Sequence, residues 1–185
     1  ISAVASTDQK SVLTAVQLLW VNLIMDTFAA LALATDPPTE ELLERGPESR
    51  SSPLITFKMW KMIIGQAIFQ IVVTIVLLYS DVLHYEPDDP ILQTIVFNTF
   101  VFCQIFNEIN CRRIDSKLNV FHNILANKFF LSIFFFCIAL QAIIVNFGGA
   151  AFQVTQVDGV AWAISLVVGL LALPIGVIIR LIPDE

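Results

Sequence analysis

The chain is 185 residues long, 57% of them hydrophobic and 14% charged, with a mean hydropathy of +0.79. A soluble domain of this length needs more polar surface, so the composition excludes an ordinary soluble globular protein and points to the membrane. The formal net charge of −6 sums charges from both sides of a bilayer, so their placement says more than their total.

Crossing the hydrocarbon core takes ~20 apolar residues as a helix. Five segments qualify: 14–35, 59–79, 91–109, 129–147 and 160–182. The connections are polar or rich in turn formers, as in DPPTEELLERGPESRSSPLITFK and SDVLHYEPDDP. Pro37 and Pro38 should stop the first helix, because proline lacks the backbone donor. An all-α fold is therefore expected, a polytopic membrane helical bundle of five transmembrane helices. The lipid bilayer is its partner, and residues 1–185 form one membrane region with no room for a soluble domain. The opening ISAVAS reads as the tail of an earlier apolar segment, so a longer parent protein is expected. No signal-peptide pattern is present.

With five spans, the connections alternate sides. One side collects Arg45, Arg50, Lys58, Lys61, Arg112, Arg113, Lys117, Lys128 and Arg180, and the other holds Lys10. The positive-inside bias then makes the first side cytosolic, with the C-terminus on it. The acidic loop of Asp81, Glu86, Asp88 and Asp89 faces out and reads as a solvated connection.

The first span contains WVNLIMDTF, with Asn22 and Asp26 in mid-span. A carboxylate near the bilayer centre costs ~2.5–3.5 kcal/mol on insertion scales, so it normally faces a cavity or a partner. Asn22 lies four residues earlier, on the same helix face, and Ala30 and Ala34 continue it. Small residues there admit a close neighbour, so the face is expected to be a packed, polar-lined interior. A hard cation such as Ca2+ takes ~6–8 oxygens, more than this helix offers. The rest must come from other helices, unwound backbone carbonyls or water. A plain interhelical hydrogen bond is the simpler alternative.

The third span ends FCQIFNEINCRR, where Gln104, Asn107 and Glu108 share a face. Gln104 is deep enough to reach toward Asp26, and Glu108 is placed to pair with Arg112 at the interface. Gln66, Gln70, Asn98 and Gln141 are expected to bond between helices, and Trp20, Trp60 and Trp162 to anchor at membrane edges. Pro174 with Gly176 should kink the fifth span. Cys103, Cys111 and Cys137 match no metal or redox spacing. His84 and His122 lie in loops on opposite sides. No phosphate-cradling glycine loop, no Ser/His/Asp set and no nucleic-acid feature is present, so no catalytic residue is expected in this chain.

LTAVQLLWVNLIMDTFAALALATDPPTEELLERGP resembles the sixth membrane helix and following loop of P-type Ca2+-ATPases, most of all the plasma-membrane type, which includes fungal vacuolar calcium pumps. FNTFVFCQIFNEINCRRI is similar to that subfamily's eighth helix, and NVFHNILANKFF to its next loop. The resemblance implies that the five spans are a pump's sixth to tenth helices. ATP and Mg2+ would act in cytosolic domains of the parent, and other ion ligands would come from earlier helices. It implies Asn22 and Asp26 as Ca2+ ligands; Gln104 and Asn107, on the shared face of the third span, are the candidate supporting groups. Where two-ion pumps carry a Thr and a Glu, Met25 and Gln104 stand here, which implies one Ca2+ per cycle. The expected location is a multi-pass protein of the vacuolar or plasma membrane. A secondary cation transporter and a non-catalytic membrane scaffold are the other readings of the residues.

Overall fold

The computed structural model describes residues 13–35, 53, 55–79, 89–112, 124 and 127–182. Among them, all regular structure is helical. The helices are α1 (Ala15–Ala34), α2 (Phe57–Tyr79), α3 (Pro90–Cys111), α4 (Lys128–Phe147), the short α5 (Gly149–Phe152), α6 (Gly159–Leu170) and α7 (Ala172–Leu181). Helices α1 to α4 and the pair α6–α7 are long and apolar enough to cross a membrane, and their bounds lie within two residues of the expected spans. This is the five-span bundle of a multi-pass integral membrane protein.

Polar residues outside the apolar runs start these helices. Thr14 and Gln17 satisfy each other's backbone donors at the head of α1, at 3.4 and 3.1 Å. Asp89 accepts from Ile91 N at 2.9 Å, with Pro90 in the first turn of α3, where its missing N–H costs nothing. Asn127 accepts from Phe130 N at 3.0 Å at the head of α4.

The central element is α3. Of its apolar stretch 67% is covered, against 17% for α2, so α2 is the peripheral helix. Phe97, Val101, Phe102 and Ile105 join Trp20, Met25, Phe130 and Cys137 in one core. Helix α6 lies closest against α3. A Cβ on Gly169 would come 2.6 Å from Phe102 Cβ, so only glycine permits this approach.

Lipid is as apolar as a leucine side chain, so interhelical hydrogen bonds and close packing carry much of the cohesion. Trp20 Nε1 donates to Gln141 Oε1 at 3.1 Å, and Gln141 Nε2 donates to Asn98 Oδ1 at 3.0 Å. Thr99 Oγ1 donates to Ser165 Oγ at 3.1 Å. Gln66 Nε2 and Asn110 Nδ2 both donate to the Ala172 carbonyl, at 3.0 and 2.9 Å. That carbonyl opens α7, just past Leu171, where the last span is interrupted. Pro174, with no N–H to return to the Leu170 carbonyl, accounts for the break.

Two ends of the bundle are distinct. At one, Lys61 Nζ donates to Ile182 O at 2.6 Å, Arg180 Nη2 donates to Asn110 O at 2.6 Å, and the Arg112 guanidinium lies 5.0 Å from the Phe130 ring centroid. Every Lys and Arg among the described residues belongs to this end. At the other, Gln17 Nε2 donates to Phe152 O at 3.1 Å and Thr155 N donates to Thr94 Oγ1 at 3.0 Å. The expectations for Lys10, Pro37, Pro38, Arg45, Arg50, Asp81, His84, Glu86, Asp88, Arg113, Lys117 and His122 lie outside the described residues.

Trp20 is not an edge anchor. It is 4% exposed and sits in the core, because Gln141 offers its indole nitrogen an acceptor there. Trp162 is half-buried edge-on against Phe102, and Trp60 is exposed on the outside of α2.

Candidate ion site

Helix α1 is not uniform. Residues Trp20–Met25 form a π-helical segment, and Asp26 opens the α-helical half that follows. The Asp26 N–H reaches back five residues to the Val21 carbonyl, so the Asn22 carbonyl does not receive it. Such widened turns recur at functional sites because they re-aim side chains and loosen the carbonyl ladder. The Thr27 hydroxyl donates to the Leu23 carbonyl within the same stretch. Both polar residues of the expected site therefore sit on a locally irregular backbone, Asn22 inside it and Asp26 at its end.

The π segment also sorts the two faces of α1. Gln17, Trp20, Val21, Met25 and Ala32 are buried against the rest of the bundle. Asn22, Asp26, Ala30 and Ala34 are exposed on the opposite side. The expectation that this face is a packed interior is not met by the described residues, since α1 turns its apolar side to its own bundle instead. Met25 is 1% exposed in the core and points away from Asn22 and Asp26.

The α3 groups divide. Gln104 Nε2 donates to Gln70 Oε1 of α2 at 2.9 Å, so the amide bond expected toward Asp26 is made to α2 instead. Asn107 is half-buried, and its Oδ1 lies 3.4 Å from Asn110 Nδ2. The expected Glu108–Arg112 pair does not form. Glu108 is buried, neither carboxylate oxygen has a hydrogen-bond partner, and the Arg112 guanidinium covers Phe130. Glu108 lies within coulombic reach of Asp26. Sequence reasoning underrated it by setting it at the membrane edge. The signal available was that the expected span, 91–109, already held Glu108 inside the helix, while its burial rests on the packing of α3 in the bundle.

No group of three or more His, Cys, Asp or Glu able to hold a metal occurs among the described residues. Asn22 and Asp26 by themselves offer fewer oxygens than the ~6–8 that Ca2+ takes.

Five apolar helices of this length, with an amide and a carboxylate in the middle of the first, define a multi-pass helical membrane protein with polar groups in its spans. The family model described as cation transporting ATPase, C-terminus, matches residues 10–182, and the chain belongs to that family. It is 59% identical, over all of its length, to a calcium-transporting ATPase 2 of Schizosaccharomyces pombe, covering 14% of that protein. It is 45% identical over 96% of its length to a plasma membrane calcium-transporting ATPase 2 of Oreochromis mossambicus, covering 17% of it. It is 44% identical over 92% of its length to a plasma membrane-type calcium-transporting ATPase 10 of Arabidopsis thaliana, covering 16% of it. The chain thus spans only a small part of the length of these relatives.

Proposed function

We propose that this chain is the C-terminal membrane region of an ATP-driven Ca2+ pump that moves cytosolic Ca2+ into the vacuole or out of the cell. It supplies part of one intramembrane Ca2+ site, through the Asn22 side-chain oxygen and the Asp26 carboxylate. The observation that carries this is Asp26 itself, a mid-span carboxylate at the end of a π segment, on a face that its own bundle leaves uncovered. A bound Ca2+ and ligands from other helices offset the cost of that charge. The relatives named as calcium-transporting ATPases supply the identity of the ion.

Gln104 supports the site at one remove, by tying α3 to α2, and Asn107 stands on the same helix beside Glu108. ATP and Mg2+ act in cytosolic domains of the parent protein. Those domains and the earlier membrane helices are the partners of this region.

The test is ATP-dependent uptake of radiolabelled Ca2+ into vesicles carrying the full-length parent, intact and as Asp26→Asn. Uptake by the intact protein that is lost in the variant, or needs at least tenfold more Ca2+ (about 1.4 kcal/mol), is the expected result. Equal uptake by both would remove Asp26 from the site.

A further inference from the structure

Glu108 has no part in the reading above, yet it is a costly side chain where it stands. It is 6% exposed, and both of its carboxylate oxygens lack a hydrogen-bond partner. A buried carboxylate without a donor or a counter-ion is strongly disfavoured, and within membrane spans such residues mark ion pathways. Arg112, one turn along α3, faces Phe130 rather than Glu108. Among the described titratable groups, Asp26 of α1, Cys137 of α4 and Cys111 of α3 itself lie within coulombic reach of Glu108. Arg180 of α7 acts on Cys111 as well, and its guanidinium donates to the Asn110 carbonyl.

Glu108 thus has a second acid within coulombic reach, and among the described residues no donor reaches either of its oxygens. Two carboxylates in reach of each other repel, and a cation between them relieves both the repulsion and the burial. Glu108 also stands near the end of α3 where the described Lys and Arg collect, while Asp26 is in mid-span. The order along the bundle is therefore basic end, Glu108, Asp26.

We propose that Glu108 is a second carboxylate of the divalent-cation path, drawing Ca2+ from the basic end of the bundle toward Asp26. This rests on the reading of Asp26 as an ion ligand. Glu108 is not one of the ligands that the family resemblance implies, since the α3 position it assigns is Gln104, which is bonded to Gln70.

The experiment measures equilibrium binding of radiolabelled Ca2+, without ATP, to the purified full-length protein as wild type, Glu108→Gln and Asp26→Asn. Glu108→Gln keeps shape and removes charge. The expected result is a Kd raised about tenfold with an unchanged number of sites, while Asp26→Asn loses the site. Wild-type Kd in Glu108→Gln, with binding lost in Asp26→Asn, overturns the proposal and leaves the Asp26 reading standing. Wild-type binding in Asp26→Asn removes Asp26 instead. If Glu108→Gln is not recovered folded, a second measurement on the wild type decides. Carbodiimide labelling of Glu108, located by mass spectrometry, is expected to be prevented by Ca2+, and labelling that Ca2+ leaves unchanged overturns the proposal.

Discussion

The indole nitrogen of Trp20 on α1 donates to Gln141 Oε1 on α4 at 3.1 Å, and the Gln141 amide passes to Asn98 Oδ1 on α3 at 3.0 Å. Three helices are thus joined through one glutamine that is fully buried. Gln141→Leu keeps much of the volume and strands both the indole donor and the Asn98 oxygen. Stability should fall by about 1–3 kcal/mol. Thermal unfolding of the purified protein in detergent measures it, and an unchanged midpoint would show that the relay holds nothing together.

The π segment makes a separable prediction. Deleting Leu23 removes one residue from the widened turn, which lets it close as ordinary α-helix with the flanking faces still in register. Gln17 and Ala32 stay buried, but Asn22 and Asp26 are re-aimed. The variant should keep its helix content by circular dichroism and its unfolding midpoint within a few degrees, while Ca2+-dependent ATP hydrolysis by the full-length protein is lost. Retained hydrolysis would mean that the π turn has no part in the site.

Glycines set how closely the last span approaches α3. A Cβ at Gly169 meets Phe102 Cβ at 2.6 Å and the Phe102 carbonyl carbon at 3.1 Å, neither of which can swing away. At Gly176 the obstacle is the Asn110 side chain, at 2.5 Å, which can rotate only by giving up its bond to Ala172 O. Gly169→Ala should therefore destabilise by about 1–3 kcal/mol through overpacking. Gly176→Ala should cost about as much as the lost hydrogen bond, ~1 kcal/mol. Once Asn110→Ala has removed both that bond and the clash, adding Gly176→Ala should cost little more in the same unfolding assay.

Glu108 and Arg112 have the spacing of a helical ion pair without making one. A double-mutant cycle with Glu108→Gln and Arg112→Gln should give a coupling of less than about 0.5 kcal/mol. The cycle of Arg112→Gln with Phe130→Leu should couple by about 0.5–1 kcal/mol, the range of a cation–π contact at a partly exposed site. Reversal of these two results would restore the ion pair.

How much was legible in the chain differs from residue to residue. Asn22 and Asp26 stand out because polar side chains in an apolar run are costly wherever the helix packs, and their spacing places them on one face of any helix. The last span's break was readable because Pro174 removes a donor in every environment. Gln104 was not readable in this way. An amide has donors and an acceptor, and both Gln70 and Asp26 lay within plausible reach, so its partner depends on how α3 is rotated against α1 and α2. Trp20 was misplaced for a related reason. An indole suits either the headgroup region or a core that offers an acceptor, and the Gln141 acceptor is 121 residues away in the chain.

The sequence by itself determined the five spans, their ends and the presence of a costly amide–carboxylate pair in the first. Those follow from hydropathy over ~20 residues and from the cost of polar side chains in an apolar run. Only the tertiary structure decided which polar groups are paired. It gave Gln104 to Gln70, turned Arg112 onto Phe130, and left Glu108 buried with no donor. Such pairings depend on helix rotation and on approaches set by single glycines such as Gly169, and these are settled by all the helices together.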